Sequence, residues 1–575
     1  MRPILKGIVP SLGILLLGWI VSGCDRSGSM QRAADGKRSV EEEWFRDVTV
    51  ESGVRFSHVT GTNYHMPDQV GLGVATFDYD RDGRLDLYFV QNAGVGSGVR
   101  NELYRQREDG RFENVTMGSG LGVEGRGMSV ACGDVNNDGW PDVVITEDGA
   151  VRVFWNRGKG RFEEIAGESS GVVNPRWAVP VSFLDFDRDG WLDVVVGNYL
   201  DYDPTQECLD AQGRHDFCAP SGFPGTSARL WRNRTERAGE EPRFEEVTGR
   251  AGLGRVLGAA MGIVCADFTG DDWVDIFLAD DGRANRLLVN RGDGTFVDEA
   301  MIRGVAYNAM GKTAANMGLA WGDLDGDGRS DLFVTHLAEE FHGLFVQDRV
   351  GFYSDRVGTV GLQAQGWRGT GFGAVAADFD LDGDLDLGWV NGLVRRAGVG
   401  QTPVMTGVNP WWGRYAQRAQ LFMNGGGGRF EDVSGLNPTF CGESMVGRSL
   451  VVGDLDRDGR LDLVTGGVGG PARIYRNRRV VGGVHWLELR LVEPRFGGRD
   501  AIGAEAVVVC GGRRHWRLVQ PSTSYASSHD AVLHFGLGAA GTVDSVEVKW
   551  ADGVRETFGV SGVDRLEELR RGEGR

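Results

Sequence analysis

The residues of this chain best suited to chemistry are acids at a fixed spacing. Seven nonapeptides carry an oxygen-bearing side chain at positions one, three, five and nine: Asp78, Asp80, Asp82 and Asp86; Asp134, Asn136, Asp138 and Asp142; Asp185, Asp187, Asp189 and Asp193; Asp267, Thr269, Asp271 and Asp275; Asp323, Asp325, Asp327 and Asp331; Asp378, Asp380, Asp382 and Asp386; and Asp454, Asp456, Asp458 and Asp462. A hard cation such as Ca2+ takes roughly six to eight oxygens at about 2.3–2.6 Å, and a tight turn delivers them from alternate residues. In the first string the main-chain carbonyl of Arg84 adds an oxygen and Gly83 permits the bend. The acid at position nine and the β-like runs that follow, LDLYFVQ and LDVVVGN, exclude an EF-hand.

A single string of this kind reads equally well as a polar turn whose acids are merely solvated. Seven of them, at steps of 56, 51, 82, 56, 55 and 76 residues, form an internal repeat. Carboxylates packed this closely repel, and a divalent ion removes the repulsion and pins the turn. Up to seven Ca2+ ions in a structural role are therefore expected. The fourth site is doubtful, because Thr269 replaces a carboxylate and Asp272 replaces the glycine. Seven such ions add fourteen positive charges to a formal net charge of -19 and leave about -5, so the acidity is not read as a partner-binding feature. No basic stripe with interleaved aromatics points to nucleic acid.

The elements that must position these acids are short strands. A Gly-rich apolar strand enters each string, as in GVATF, MSVACG and MGLAWG, and a β-branched or aromatic strand leaves it. A third strand follows (LYRQ, VFWN, LWRN, LLVN, LFVQ, LFMN, IYRN), and a fourth begins at Phe112, Phe162, Phe244, Phe296, Phe352 and Phe430. The seventh unit lacks a fourth strand, while an unattached copy, WFRDVTV, precedes the first unit at Trp44. The expected fold is all-β: a seven-bladed β-propeller over 44–480 whose N-terminal strand completes the last blade, closing the ring and removing free sheet edges. An open solenoid is the alternative.

From about Val481 the period breaks, and HWLELRLV, AEAVVVC, HWRLVQ, AVLHFGLG and DSVEVKW alternate as a small antiparallel β domain over 481–575. The seven loops, AIGAEA at Ala501, STSYASS at Ser522, HFGLG at His534 and VKWADG at Val548 together resemble the FG-GAP/VCBS-repeat family related to the cartilage acidic protein, with a C-terminal ASPIC/UnbV domain. Arg499 stands where that family usually carries Asn, and Ala551 where Pro is common. The resemblance implies a calcium-stabilised, exported propeller of binding or adhesive character, with no established enzymatic activity.

The first 24 residues read as a lipoprotein signal: Arg2 and Lys6, an apolar stretch too short to span a membrane, then Val21-Ser22-Gly23-Cys24 with Cys24 as the lipidated residue. A polar tether over 25–43 follows, giving an extracytoplasmic, lipid-anchored protein. In that compartment weak calcium sites are filled, and a Cys208–Cys218 disulfide is permitted. Cys132 and Cys265 read as small core residues.

Function is sought opposite the loops. Two long inserts follow second strands, one over 198–228 with Tyr199, Tyr202, His215, Phe217 and Phe223, the other over 391–420 with Arg395, Arg396, Trp411, Trp412, Arg414 and Tyr415. They are expected on one face, on nearly opposite sides of the ring, joined by Trp367. Exposed Trp, Tyr and Arg suit stacking on sugars or anchoring a protein; packing of the insert onto the blade rim is the simpler use of the same residues. The leading expectation is thus a binding or adhesion module for a protein or glycan. A polysaccharide lyase with Lys312, His215 or Tyr64 as base, or an envelope-assembly role, are the alternatives.

Overall fold

The computed structural model describes residues 43–363, 367–396, 408–479 and 481–575. The predicted signal, Cys24 and all of the tether but Glu43 lie outside them. Residues Glu42–Arg575 form one compact unit.

Seven antiparallel sheets carry the seven repeats. The first runs through Val74–Phe77, Asp86–Phe89, Glu102–Gln106 and Phe112–Asn114 in chain order, and each acidic nonapeptide joins a first strand to a second. The predicted fourth strands start at their phenylalanines in all six cases. In the seventh sheet that place is taken by Phe45–Asp47, antiparallel to Arg473–Asn477 with Phe45 opposite Asn477.

The first strands are buried along their length and small-residue-rich, as in GMSVACG and GFGAVAA. Each touches the first strand of the next sheet, and that of the seventh, Gly447–Gly453, touches that of the first. Small residues are required here because neighbouring backbones approach closely: a Cβ on Gly373 would lie 2.6 Å from the Arg448 carbonyl oxygen. Between sheets the cores are aliphatic and aromatic, for example Val264, Phe268, Phe277, Leu332 and Phe345 between the fourth and fifth.

The C-terminal segment forms two further four-stranded sheets. One contains His485–Glu493 and Leu533–Gly538, with Arg565–Arg570 running parallel to the former; the other contains Glu505–Cys510, Arg513–Leu518, Ser545–Lys549 and Arg555–Phe558. These sheets do not stand apart. Between Leu518 and Leu533 the chain leaves them as a finger whose Ser527–Ser528 pairs in parallel with Val74–Ala75. Ser524 and Leu319 exchange both backbone hydrogen bonds at 2.9 and 3.0 Å, and Tyr525 is fully buried with its hydroxyl donating to the Val70 carbonyl at 3.1 Å.

The inserts also differ from expectation. They meet each other: Tyr415 donates to Asp216 at 2.8 Å, Arg396 reaches the His215 carbonyl at 2.8 Å, and Phe217 stacks on Trp412 with centroids 5.7 Å apart. Cys208 and Cys218 are joined, fastening one end of this bridge. Sequence spacing places the roots of two loops; the loops are long enough to reach across, and their aromatics bury area only by doing so.

Candidate metal loops and the insert face

The nonapeptides share one hydrogen-bond pattern. The position-one aspartate accepts the backbone N–H groups of positions five and six, as Asp78 does from Asp82 at 3.0 Å and Gly83 at 2.8 Å. The position-nine aspartate, buried at the start of the second strand, accepts from position two through one oxygen and from the end of the third strand through the other: Asp142 from Val135 at 2.9 Å and Asn156 at 2.8 Å. Backbone geometry thus holds the acids pointing inward together.

The same end-of-strand residue braces the next unit, a role sequence reading missed. The side-chain N–H groups of Asn156, Asn233, Asn290, Asn424 and Asn477 donate to the position-two carbonyl of the preceding loop: Tyr79 at 2.9 Å, Val135 at 2.7 Å, Phe186 at 2.8 Å, Leu324 at 2.9 Å and Phe379 at 2.9 Å. Gln106 of the first unit donates to Leu455 of the seventh at 2.7 Å, so the brace crosses from the last repeat to the first. In the fifth unit Gln347 acts through the Tyr353 hydroxyl, which contacts the Phe268 carbonyl at 3.4 Å. The amide ending each third-strand motif was the available signal.

Five of the seven loops bring three carboxylates within 4.8 Å of one another: Asp78, Asp80 and Asp86; Asp185, Asp187 and Asp193; Asp323, Asp325 and Asp331; Asp378, Asp380 and Asp386; Asp454, Asp456 and Asp462. Loops two and four substitute Asn136 and Thr269 at position three.

Whether a cation fits is decided by oxygens that lack partners. Asp80 Oδ1, Asn136 Oδ1, Asp187 Oδ1 and Asp380 Oδ1 are buried without a hydrogen-bond donor, all at position three of their loops, as is the Thr269 hydroxyl of the fourth. Arg105 takes the other oxygen of Asp80 at 2.6 Å and Arg232 that of Asp187 at 2.5 Å, leaving the inward one bare. Unpaired buried acceptors are costly, and a cation ligated by them removes that cost. Electrostatics agree. Burial, with the neighbouring carboxylates adding to it, pushes Asp86 up to about 9, Asp331 to about 8 and Asp378 to about 7. These groups are held in an environment that disfavours their charge without a compensating cation. The residues fit a hard divalent ion.

At the opposite ends of the strands lies a cavity of about 1000 Å3. Its lining includes Met66 and Val70 of the short helix Met66–Val70, Met261 and Phe372 of first strands, Met317 just ahead of another, and Cys218–Ser221 and Leu393–Arg396 from the bridging inserts. Trp367 and Arg368 line it as well, with Asp281, Glu339 and Glu340 among its acids.

The predicted ligand-face residues divide. Trp412 and Tyr415 have 0% exposure and belong to the packed core of the bridge, so they are corrected from contact residues to structural ones. Aromatic side chains of this size gain most by full burial, and the facing Phe217 provides it. Trp411 and Arg414 are half-buried, with the Arg414 guanidinium 5.5 Å from the Trp411 ring. Arg396 is tied to the Tyr64 hydroxyl at 2.6 Å. Of the bases considered, Tyr64 and His215 stack at 6.4 Å, while Lys312 is exposed in a turn; none stands beside the acidic loops, which join the other ends of the strands.

Fold and loops together define a repeat protein built on acidic FG-GAP-type turns. Matches to known families agree: the FG-GAP-like repeat covers residues 78–145, 134–196 and 267–334, and ASPIC and UnbV covers 497–575. The chain therefore carries FG-GAP-like repeats followed by an ASPIC and UnbV domain, and it is similar over most of its length to cartilage acidic protein 1. Identity is 25% with the Xenopus tropicalis protein over 85% of this chain and 71% of that one, and 25% with the Homo sapiens protein over 85% and 61%. Integrin alpha-4 of Xenopus laevis is 30% identical over 23% of this chain and 14% of its own length.

Proposed function

We propose that this protein is a calcium-braced, seven-bladed β-propeller that acts as a binding or adhesion module, capturing a protein or glycan at its insert-bearing face. The observation that carries the function is the roughly 1000 Å3 cavity between the bridging inserts and the strand ends opposite the loops. Apolar floor with arginine and tryptophan at the rim is recognition chemistry. FG-GAP-like repeats and the likeness to an integrin chain and to cartilage acidic protein 1 support the binding class. The amide brace from Gln106 to Leu455, and the contact of the seventh first strand with the first, support a closed ring. Unpaired oxygens at position three support the ions, and the expected lipidation of Cys24 would place the module on the outer side of a bacterial membrane. Among the described residues no helix is long and apolar enough to cross a membrane.

The test is a glycan and protein array probed with the calcium-loaded protein and with a Trp367→Ala/Arg368→Ala variant. Specific capture by the parent, lost in the variant while the melting temperature moves by less than about 2 °C, supports the reading. Capture that survives the double substitution places the ligand elsewhere and defeats it.

A further inference from the structure

The C-terminal domain sits on the loops. The Arg499 guanidinium donates to Asn137 Oδ1 of loop two at 2.9 Å, the His515 ring meets the Gly383 carbonyl of loop six at 3.1 Å, and the His534 ring meets the Gly459 carbonyl of loop seven at 2.8 Å. Arg81 of loop one reaches Asp500 at 3.0 Å. At position six of loops six and seven a side chain would collide with the domain: a Cβ on Gly383 falls 2.4 Å from His515, and one on Gly459 falls 2.1 Å from Trp486.

A face made of seven near-copies offers a docking partner several near-equivalent rotational settings. The connection over 478–484 spans at most about 25 Å and arrives beside loop seven, so it restrains one edge of the domain and leaves the far edge free. The finger fixes the centre of the domain, through Val74 of the first sheet, Met261 of the fourth, Leu319 of the fifth, Phe372 of the sixth and Leu450 of the seventh, and leaves the setting of the outer edge to contacts with the loops. Something must distinguish one loop from its copies.

At position six, loop four is the one that differs. Position six is Asp272 in place of glycine, held at φ +68°, a conformation that glycine adopts without cost. Its carboxylate meets the Lys549 ammonium at 3.2 Å and Arg555 at 3.4 Å. Lys549 is largely buried and also meets Asp267 at 3.2 Å and Glu505 of its own sheet at 2.8 Å. Loop four lies three sheets from the seventh in one direction round the circuit and four in the other, across from the connection.

We propose that Asp272 is a register key: the glycine-to-aspartate exchange in loop four serves docking, and its pair with Lys549 fixes the rotational setting of the C-terminal domain on the loop face. Buried ionic groups are best attested in this role of selecting register; here Lys549 is the buried partner, and the Asp272 side chain is 39% exposed. A setting that brought Asp272 to the place of Gly139, Gly190, Gly383 or Gly459 would clash, since a Cβ at those positions falls 2.7, 2.3, 2.4 and 2.1 Å from the domain.

Hydrogen exchange on the full chain with saturating calcium tests this. The backbone N–H groups of Ser524 and Gly538 report docking, because they donate across the interface to Leu319 at 2.9 Å and Leu381 at 2.8 Å. Asp272→Gly is favourable for the loop backbone, so a merely drifted residue predicts unchanged or slower exchange at both amides, and that result overturns the proposal. The key predicts exchange about tenfold faster at both, with the strands Asp142–Glu147 and Asp193–Asn198 unaffected. Lys549→Met should act alike, and the double variant should exchange no faster than the faster single one; multiplying effects would show two independent contacts and also overturn it. If Lys549→Met lowers protection in every strand, the Asp272→Gly result alone decides.

Discussion

The two faces of this molecule are built on opposite principles. On the loop face one nonapeptide is repeated seven times, the acids at positions one and nine are held by the same backbone donors, and the C-terminal domain packs on the loops. On the insert face no pattern repeats; two unequal loops meet, lock their aromatics together and leave a cavity beside them. Repetition suits a job that each unit needs done identically, here bracing a turn and its neighbour. Recognition needs an asymmetric surface, and insertions are one way a repeat acquires one.

That contrast can be broken most forcefully by removing metal. Each ion held at about 100 times its Kd contributes about 2.7 kcal/mol, so stripping several lowers Tm by on the order of 10 °C or more. Calorimetry with and without chelator measures it; an unchanged Tm would leave the loops as ordinary turns. The metal-free protein should also respond to pH in a defined direction. Asp86, Asp331 and Asp378 have folded-state values raised by burial to about 9, 8 and 7, so their contribution is complete below the unfolded carboxylate range near 4 and is lost as pH rises toward those values. Urea unfolding in chelator should show stability declining from pH 5 to 8, and calcium should flatten the profile, since ligation favours the charged carboxylates.

Single substitutions sharpen the comparison further. Trp412→Ala empties the core of the bridge and should cost about 3–5 kcal/mol of local stability, read as fast exchange in the inserts with the sheets intact. Asn290→Ala removes a brace on the other face and leaves the Phe186 carbonyl without that donor, a loss of about 1–3 kcal/mol by chemical denaturation. The smallest effect belongs to Trp411→Ala, less than about 1 kcal/mol for a half-buried residue; if it nonetheless weakens capture on an array, the ligand touches the bridge as well as the cavity.

Much of this was readable in the chain before any coordinates. Spacing alone places Asp78, Asp80 and Asp86 on one turn, because a nine-residue loop between two antiparallel strands has few conformations. Period-two strands and six phenylalanine starts define the sheets, and the missing seventh start points to Trp44–Val50, whose strand pairs where expected. The amides ending the third strands were visible as letters but not as braces, since their partner carbonyls lie up to 349 residues away.

What the sequence determined is local: turn chemistry, strand alternation and the acid clusters follow from residues within one repeat. What the tertiary structure decided is every relation between parts distant in the chain. The inserts meet because burying Trp412, Tyr415 and Phe217 requires a partner surface that neither loop has alone. The C-terminal finger enters among the first strands, where Gly73 lets the Ala526 carbonyl oxygen come within 3.2 Å of the place a Cβ would take. Asp272, which looks like a flaw within its loop, finds its reason only when Lys549, 277 residues later, is folded onto it.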